Sequence, residues 1–362
     1  MADTKFGGIA VYEDDDGKAV WEFEGKVQSD IPLDTDAQDF AGAINELKKL
    51  SEQGGGEVWQ PPSDWLEVPE PGEWEANFLI EVRDSMEFTL DFVGFDEEIP
   101  GVSGDDITTR FGTVTVDWGD GTVDTYEGPA SYEESLRPEG GYFWRDEYCT
   151  HTYSEHRQYV VKATADSCSR ILYQVKDGKN GYNEKNLLIA RLGEKICVSK
   201  KKKTGEWYFL GTPFQSHYGL HWLEIRGDTQ ITNNINSCES LKRVDFLKGL
   251  TEIGNICFDA RTAVPKSLDF SRVEKIGANC FQNAVFEDTD LRFEKCTEIG
   301  LNSFPNGNFH TLTAPVCTSV GKGSFSYCHP LHSVKFAEDC TFGANCFYDC
   351  YSLYPRPDGS TN

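Results

Sequence analysis

Residues 253–258 read Ile-Gly-Asn-Ile-Cys-Phe, and the same frame returns at Ile276-Gly277…Phe281, Ile299-Gly300…Phe304, Val320-Gly321…Phe325 and Phe342-Gly343…Phe347. The glycines are 23, 23, 21 and 22 residues apart. A weaker frame, Ile231-Thr232, stands 22 residues before Gly254. Between the anchors lies a short strand-like run: Val244-Asp-Phe246, Leu268-Asp-Phe270, Leu291-Arg-Phe293 and Val334-Lys-Phe336. A unit of this length cannot bury its own apolar edge, and stacking on its neighbours creates a continuous core. The period therefore predicts a repeat solenoid over residues 219–354, with a short tail at 355–362.

Cysteine follows the same register. Cys257, Cys280 and Cys346 precede the anchoring phenylalanine, and Cys-x-x-Leu opens three units at Cys238/Leu241, Cys328/Leu331 and Cys350/Leu353. The pattern resembles the BspA-like leucine-rich repeats of bacterial, protist and phage surface proteins. There are twelve cysteines, none before Cys149 and no C-x2-C pair. A chain this long does not need bridges in place of a core. Thiols recurring in register are expected to be small, buried, reduced groups in the repeat core, with disulfides or a metal as the alternatives.

Upstream, the periodicity changes to two. Ala76-Asn-Phe-Leu-Ile-Glu-Val82 and Met86-Glu-Phe-Thr-Leu-Asp-Phe-Val93 read as half-buried strands. Thr113-Val-Thr-Val-Asp-Trp-Gly-Asp-Gly-Thr122 follows, then an insertion at 126–148, His151-Thr-Tyr153 and Tyr159-Val-Val-Lys-Ala163. Asp120-Gly121 suits a tight hairpin, and Trp118 can fill a core. Trp118-Gly-Asp-Gly-Thr122 with a later His-Thr-Tyr resembles the polycystic-kidney-disease (PKD) type of immunoglobulin-like β-sandwich, which implies such a domain over residues 76–165. Residues 166–218 also read as β but are assigned to no family. Within them Lys200-Lys-Lys-Lys203 is expected at a solvated hairpin tip.

The N-terminal part has other signatures. Ile9-Ala-Val-Tyr12 and Ala19-Val-Trp-Glu-Phe23 flank an Asp-Asp-Gly turn, so residues 1–34 read as a β arm. Ala37, Phe40, Ala43, Ile44, Leu47 and Leu50 form one apolar stripe at helical spacing over 36–52, after N-cap candidates Asp34, Thr35 and Asp36 and before Gly54-Gly-Gly56. A lone helix of this length is marginal in water. An oligomerisation helix within 35–56 is therefore expected, with Phe40, Ile44 and Leu47 in the seam of a homotrimer. Ala41-Gly-Ala-Ile-Asn-Glu-Leu47 resembles a segment of fibre and baseplate-type structural proteins of tailed bacteriophages. Residues 57–75, with four prolines and three tryptophans, read as a stiff linker whose tryptophans pin it to a domain surface.

Charge narrows the function. The 362 residues carry 34 basic and 60 acidic side chains, a net −26. Residues 1–165 hold 38 acids and 11 bases, a balance of −27; residues 166–362 hold 22 and 23, a balance of +1. The acidic half repels nucleic acid, and neither half has the basic excess of a nucleic-acid binder. No apolar run is long enough for membrane insertion, and the first residues lack a secretory pattern. No phosphate loop, Gly-x-Ser-x-Gly or His-Glu-x-x-His occurs. His151 and His156 would fall on opposite faces of one strand. Asp117, Asp120 and Asp124 are expected as turn carboxylates, with Ca²⁺ ligation as the alternative.

The expectation is a mainly β, multidomain chain without catalytic residues or cofactors. The resemblances imply a phage virion surface protein, a fibre or head decoration made in the host cytoplasm. Its N-terminal part would contact other copies and other virion proteins, and its repeats a host surface protein or glycan. The competing expectation is a bacterial cell-surface adhesin.

Overall fold

The computed structural model describes residues 4–6, 9–13, 19–23, 59–83, 86–95, 113–127, 149–165, 170–176, 186–198, 200–201, 207–208, 214, 216–232 and 235–360. The chain divides into two compact units, residues 1–55 and 56–362. In the first, β1 (Thr4–Phe6), β2 (Ile9–Glu13) and β3 (Ala19–Phe23) form an antiparallel sheet in which Ile9 pairs with Phe23 and Val11 with Trp21. The helix expected over 36–52, and with it Phe40, Ile44 and Leu47, lies outside the described residues. All regular elements among the described residues are strands.

The second unit opens with β4 (Glu75–Glu81), β5 (Glu87–Phe95), β6 (Thr113–Asp117), β7 (Val123–Glu127), β8 (Cys149–Thr152), β9 (Gln158–Ala165), β10 (Arg170–Lys176), β11 (Leu187–Leu192) and β12 (Ile196–Cys197). A small hairpin, β13 (Lys200–Lys201) with β14 (Trp207–Tyr208), follows. The first two lysines of the basic run are thus in a strand rather than at a tip. Next come β15 (Trp222–Ile225), β16 (Gln230–Ile231) and β17 (Arg243–Phe246). One sheet has the order β12-β10-β5-β8, and another has the order β17-β15-β11-β4-β9-β6-β7.

The two sheets share a core. Phe78 and Ile80 of β4 meet Phe88 and Leu90 of β5, with the Phe78 and Phe88 rings 6.4 Å apart. β6 shows why alternation places it here: Val114 and Val116 are buried, while Thr113 and Thr115 are half-exposed. Residues 166–218 contribute to both layers, since β10 pairs antiparallel with β5 and β11 antiparallel with β4. β11 is buried along its whole length. Its run Leu187-Leu-Ile-Ala190 fits a strand covered on both faces.

The outer cover of β11 is the proline- and tryptophan-rich segment. Val68 and Trp65 lie against Leu79, Leu188 and Ile189. Arg191 donates from Nη1 to the Val68 carbonyl at 2.8 Å and pairs with Glu224 at 2.9 Å. Residues 59–72 are therefore a strap across the seven-stranded sheet. The strap lies where β11 meets β15, a parallel pairing that aligns Ile189 with Trp222 and Leu192 with Ile225. β15 in turn pairs in parallel with β17. The first rungs of the repeats thus extend the sandwich sheet, and one hydrophobic cluster runs from Ala76 to Leu353.

Beyond this junction the repeats stack. β16, β18 (Glu252–Ile253), β20 (Lys275–Ile276), β23 (Glu298–Ile299), β25 (Ser319–Val320) and β27 (Thr341–Phe342) form a parallel six-stranded sheet. β19 (Ala263–Val264) pairs with β21 (Val285–Phe286), and β22 (Asp290–Arg292), β24 (Thr311–Thr313) and β26 (Ser333–Lys335) form a third parallel sheet. Leu268 and Phe270 are buried as expected but lie outside any strand. The unit between Gly300 and Gly321 contributes β24, with Leu312 and Ala314 buried. Ala314 occupies the place of Phe293 and Phe336, which hides this strand from a search for the apolar pair.

Three in-register columns hold the stack. Phe258, Phe281, Phe304, Phe325 and Phe347 lie nearly parallel, with successive ring centres 5.3, 4.9, 5.4 and 5.4 Å apart. The anchoring glycines let adjacent rungs approach: a Cβ on Gly300 would lie 2.6 Å from the Gly277 carbonyl oxygen. In three successive units the residue before the phenylalanine donates to the glycine carbonyl of the preceding rung. Cys280 Sγ is 2.6 Å from Gly254 O, Ser303 Oγ 2.7 Å from Gly277 O, and Ser324 Oγ 2.6 Å from Gly300 O. Cysteine and serine share one task here, so these thiols are weak donors as well as small buried groups.

Candidate functional site

The Trp-Gly-Asp-Gly turn after β6 is a closed network. Trp118 is fully buried. Its Nε1–H donates to Asp124 Oδ2 at 2.8 Å, and its carbonyl accepts the Tyr153 hydroxyl at 3.0 Å. His151 stacks on Trp118 at 5.1 Å and bonds Asp120 Oδ2 at 2.8 Å. Asp120 also accepts the Thr122 N–H, and Asp117 accepts the Gly119 N–H. Burial pulls the Asp120 carboxyl up, but the Thr122 and His151 bonds outweigh it and hold its pKa below the usual value. All three carboxylates are engaged within the turn. His151 is on β8, whereas His156 is in the bend after it. The opposite-face argument for the two histidines therefore does not apply, and they are separated by the end of the strand. Among the described residues no three metal-ligating side chains gather as a site.

The junction carries a second cluster. The Trp59 and Trp65 rings lie 5.9 and 5.2 Å from His221. Trp222 lies between the guanidinium groups of Arg191 and Arg243, at 5.0 and 4.3 Å. Asp245, the middle residue of the Val244-Asp-Phe246 run, is half-buried and accepts Trp222 Nε1–H at 2.8 Å and Arg243 Nε–H at 2.6 Å. These groups fix the strap and the first rungs. The middle residues of the later runs, Asp269, Arg292 and Lys335, are exposed.

The surface with the most unusual chemistry is at the last two rungs. Two residues after the anchoring phenylalanine, the chain adopts a left-handed conformation in successive units, at Ala260, Asn283, Asn306, Tyr327 and Asp349, with φ between 53° and 63°. Asn and Asp suit that conformation; a bulky tyrosine does not. Strain of this kind costs of order 1–3 kcal/mol, and at 44% exposure Tyr327 recovers little of it by burial. Its ring meets Tyr348 edge-on at 5.4 Å. His329 stacks on Tyr351 at 4.7 Å. Asp349 accepts the Tyr351 hydroxyl at 2.9 Å and lies 3.5 Å from His329 Nε2. This carboxylate draws the Tyr351 hydroxyl pKa above its usual value. His310 stacks on His332 at 5.9 Å, and Tyr354 is almost fully exposed.

The members of this cluster sit between the core anchors, where the repeat period carries no signal. The signal available was His329 and Tyr351 each directly following a register cysteine.

The stacked, in-register rungs define a leucine-rich-repeat solenoid. Residues 229–354 match the BspA type leucine rich repeat region in six copies, about a third of the chain. No curated protein and no solved structure matches. The matched range takes in the unit around Leu312 and the degenerate first unit.

Proposed function

We propose that this chain is a non-enzymatic surface-attachment protein whose solenoid carries the contact surface. The observation that carries the reading is the BspA-type repeat array, matched over residues 229–354 and continuous in sheet and core with the sandwich. A solenoid varies its exposed residues without disturbing the stacked columns. The near-neutral half that contains it is not repelled by anionic cell surfaces, whereas the −27 half is. The network of Trp118, Asp120, His151 and Tyr153 supports reading the sandwich as a PKD-like, immunoglobulin-like module that holds the solenoid.

Within that reading we infer a bacteriophage virion protein, a fibre or head decoration assembled in the host cytoplasm. The motif at 41–47 and the apolar stripe of Phe40, Ile44 and Leu47 support it, as a trimer seam beside other virion proteins. The bacterial cell-surface adhesin is the second reading, favoured by the repeat match itself. Labelled full-length chain incubated with bacterial cells tests attachment: saturable retention supports it, and retention no greater than that of an unrelated acidic protein overturns it. Mass spectrometry of purified particles separates virion from adhesin. Sedimentation velocity tests assembly: the trimer should dissociate in Ile44→Asp/Leu47→Asp, and a wild-type monomer at micromolar concentration would refute it.

A further inference from the structure

We propose that Tyr327, His329, Tyr348 and Tyr351, arranged around Asp349, form a saccharide-binding platform that takes neutral pyranose units of a surface polysaccharide. The proposal rests on the reading of the solenoid as the attachment surface and names the ligand chemistry of that surface.

Three observations converge. The first is a local rule broken without a packing gain. Tyr327 occupies a left-handed position where the two preceding rungs have Asn283 and Asn306, yet its side chain is exposed. Strain retained without burial marks positions kept for another reason, and binding sites are where it collects.

The second is confinement. One residue after the anchoring phenylalanine, Tyr348 follows Gln282, Pro305 and Ser326; four residues after it, His329 and Tyr351 follow Val285 and Asn308. The stack does not need rings at these places, because the earlier rungs lack them.

The third is composition. Every ring in the cluster has a polar edge, and a carboxylate lies among them. The exposed aliphatic side chains Leu247, Val285, Leu301 and Val316 belong to earlier units. A pyranose has an apolar C–H face and an equatorial rim of hydroxyls. The ring faces match the first, and the Asp349 carboxylate with the tyrosine hydroxyls matches the second. With one carboxylate and no lysine or arginine among the five residues, the platform suits a neutral sugar rather than an acidic one.

Affinity electrophoresis of the full chain through gels containing soluble starch, hydroxyethyl cellulose, galactomannan or, as an acidic control, alginate reads this directly. At least one neutral polymer should retard the wild type. Tyr351→Ala should weaken the retardation constant about tenfold. Tyr327→Asn should weaken it several-fold while leaving the melting temperature unchanged or raised, since asparagine suits the backbone there. Failure of every neutral polymer to retard the chain overturns the proposal, as does equal retardation of wild type and both variants. A lowered melting temperature for Tyr327→Asn overturns the strain argument. If Tyr351→Ala abolishes cell binding while no neutral polymer is bound, the platform takes a protein, and the saccharide assignment fails while attachment stands. If a polymer binds but cells do not, the attachment reading fails and the platform stands.

Discussion

The sandwich and the solenoid bury their apolar surface by different rules. In the sandwich, core neighbours come from distant parts of the chain: Phe78 faces Phe88 across two sheets, and Trp118 meets His151 of β8 and Tyr153 just after that strand, on the far side of an insertion. In the solenoid each residue meets its own equivalent one rung away, as in the phenylalanine stack. The first arrangement ties stability to the whole; the second makes it a sum of neighbouring interfaces. The sheet shared through β11, β15 and β17 joins the two regimes.

Cavities give the largest contrast. Trp118→Ala and Phe304→Ala should each cost ~3–5 kcal/mol in urea unfolding. Phe347→Ala should cost clearly less than Phe304→Ala, because Phe347 has one stacked partner where Phe304 has two. Equal costs would contradict nearest-neighbour stacking. Gly300→Ala comes next. Its new Cβ meets backbone atoms of Gly277 and Ala278, which cannot rotate away, so a loss of about 1–3 kcal/mol is expected from a change that removes nothing. An unchanged urea midpoint would show that the rungs separate easily.

A smaller effect tests the junction by pH. Burial lowers the pKa of His221 below 6.5, with the Gly219 carbonyl opposing and the Lys242 and Arg83 charges adding to it. The unfolded chain therefore takes up this proton at higher pH than the folded one, and stability falls as pH drops below about 6.5. His221→Phe should flatten that part of the urea-midpoint profile; an unaltered slope would assign it to other groups. The smallest change is expected from Cys280→Ser. A hydroxyl already does the same work at Ser303 and Ser324, so the unfolding free energy should change by less than about 1 kcal/mol. Burial pushes the Cys340 thiol up to about 12 and Cys350 up to about 11. A thiol reagent at neutral pH should therefore find these groups unreactive until the chain is unfolded.

The same contrast explains what could be read from the sequence. Stacked equivalents impose a period, so Ile-Gly-x-x-x-Phe located the solenoid, its phenylalanine stack and its in-register thiols. Only the strand around Leu312 escaped, because Ala314 stands where the others have phenylalanine. Sandwich pairings leave no period, so the places of β10 and β11 in the two sheets were not legible in residues 166–218. The tryptophans of the Pro/Trp segment announced that it packs on a surface but not which one, because its partners Leu188, Arg191 and Arg226 lie more than a hundred residues away. The aromatic cluster was hidden for another reason: binding faces vary where the core repeats, and variation carries no register.

Sandwich and solenoid share one sheet and one core, so the repeats are held from the sandwich end. Hydrogen exchange of the full chain, followed by mass spectrometry across a urea series below the main transition, tests it most directly. Peptides covering Leu187–Leu192, Trp222–Ile225 and Arg243–Phe246 should lose protection together, in a single step with the sandwich strands. Loss of protection in the sandwich while Trp222–Ile225 and Arg243–Phe246 stay protected would contradict it.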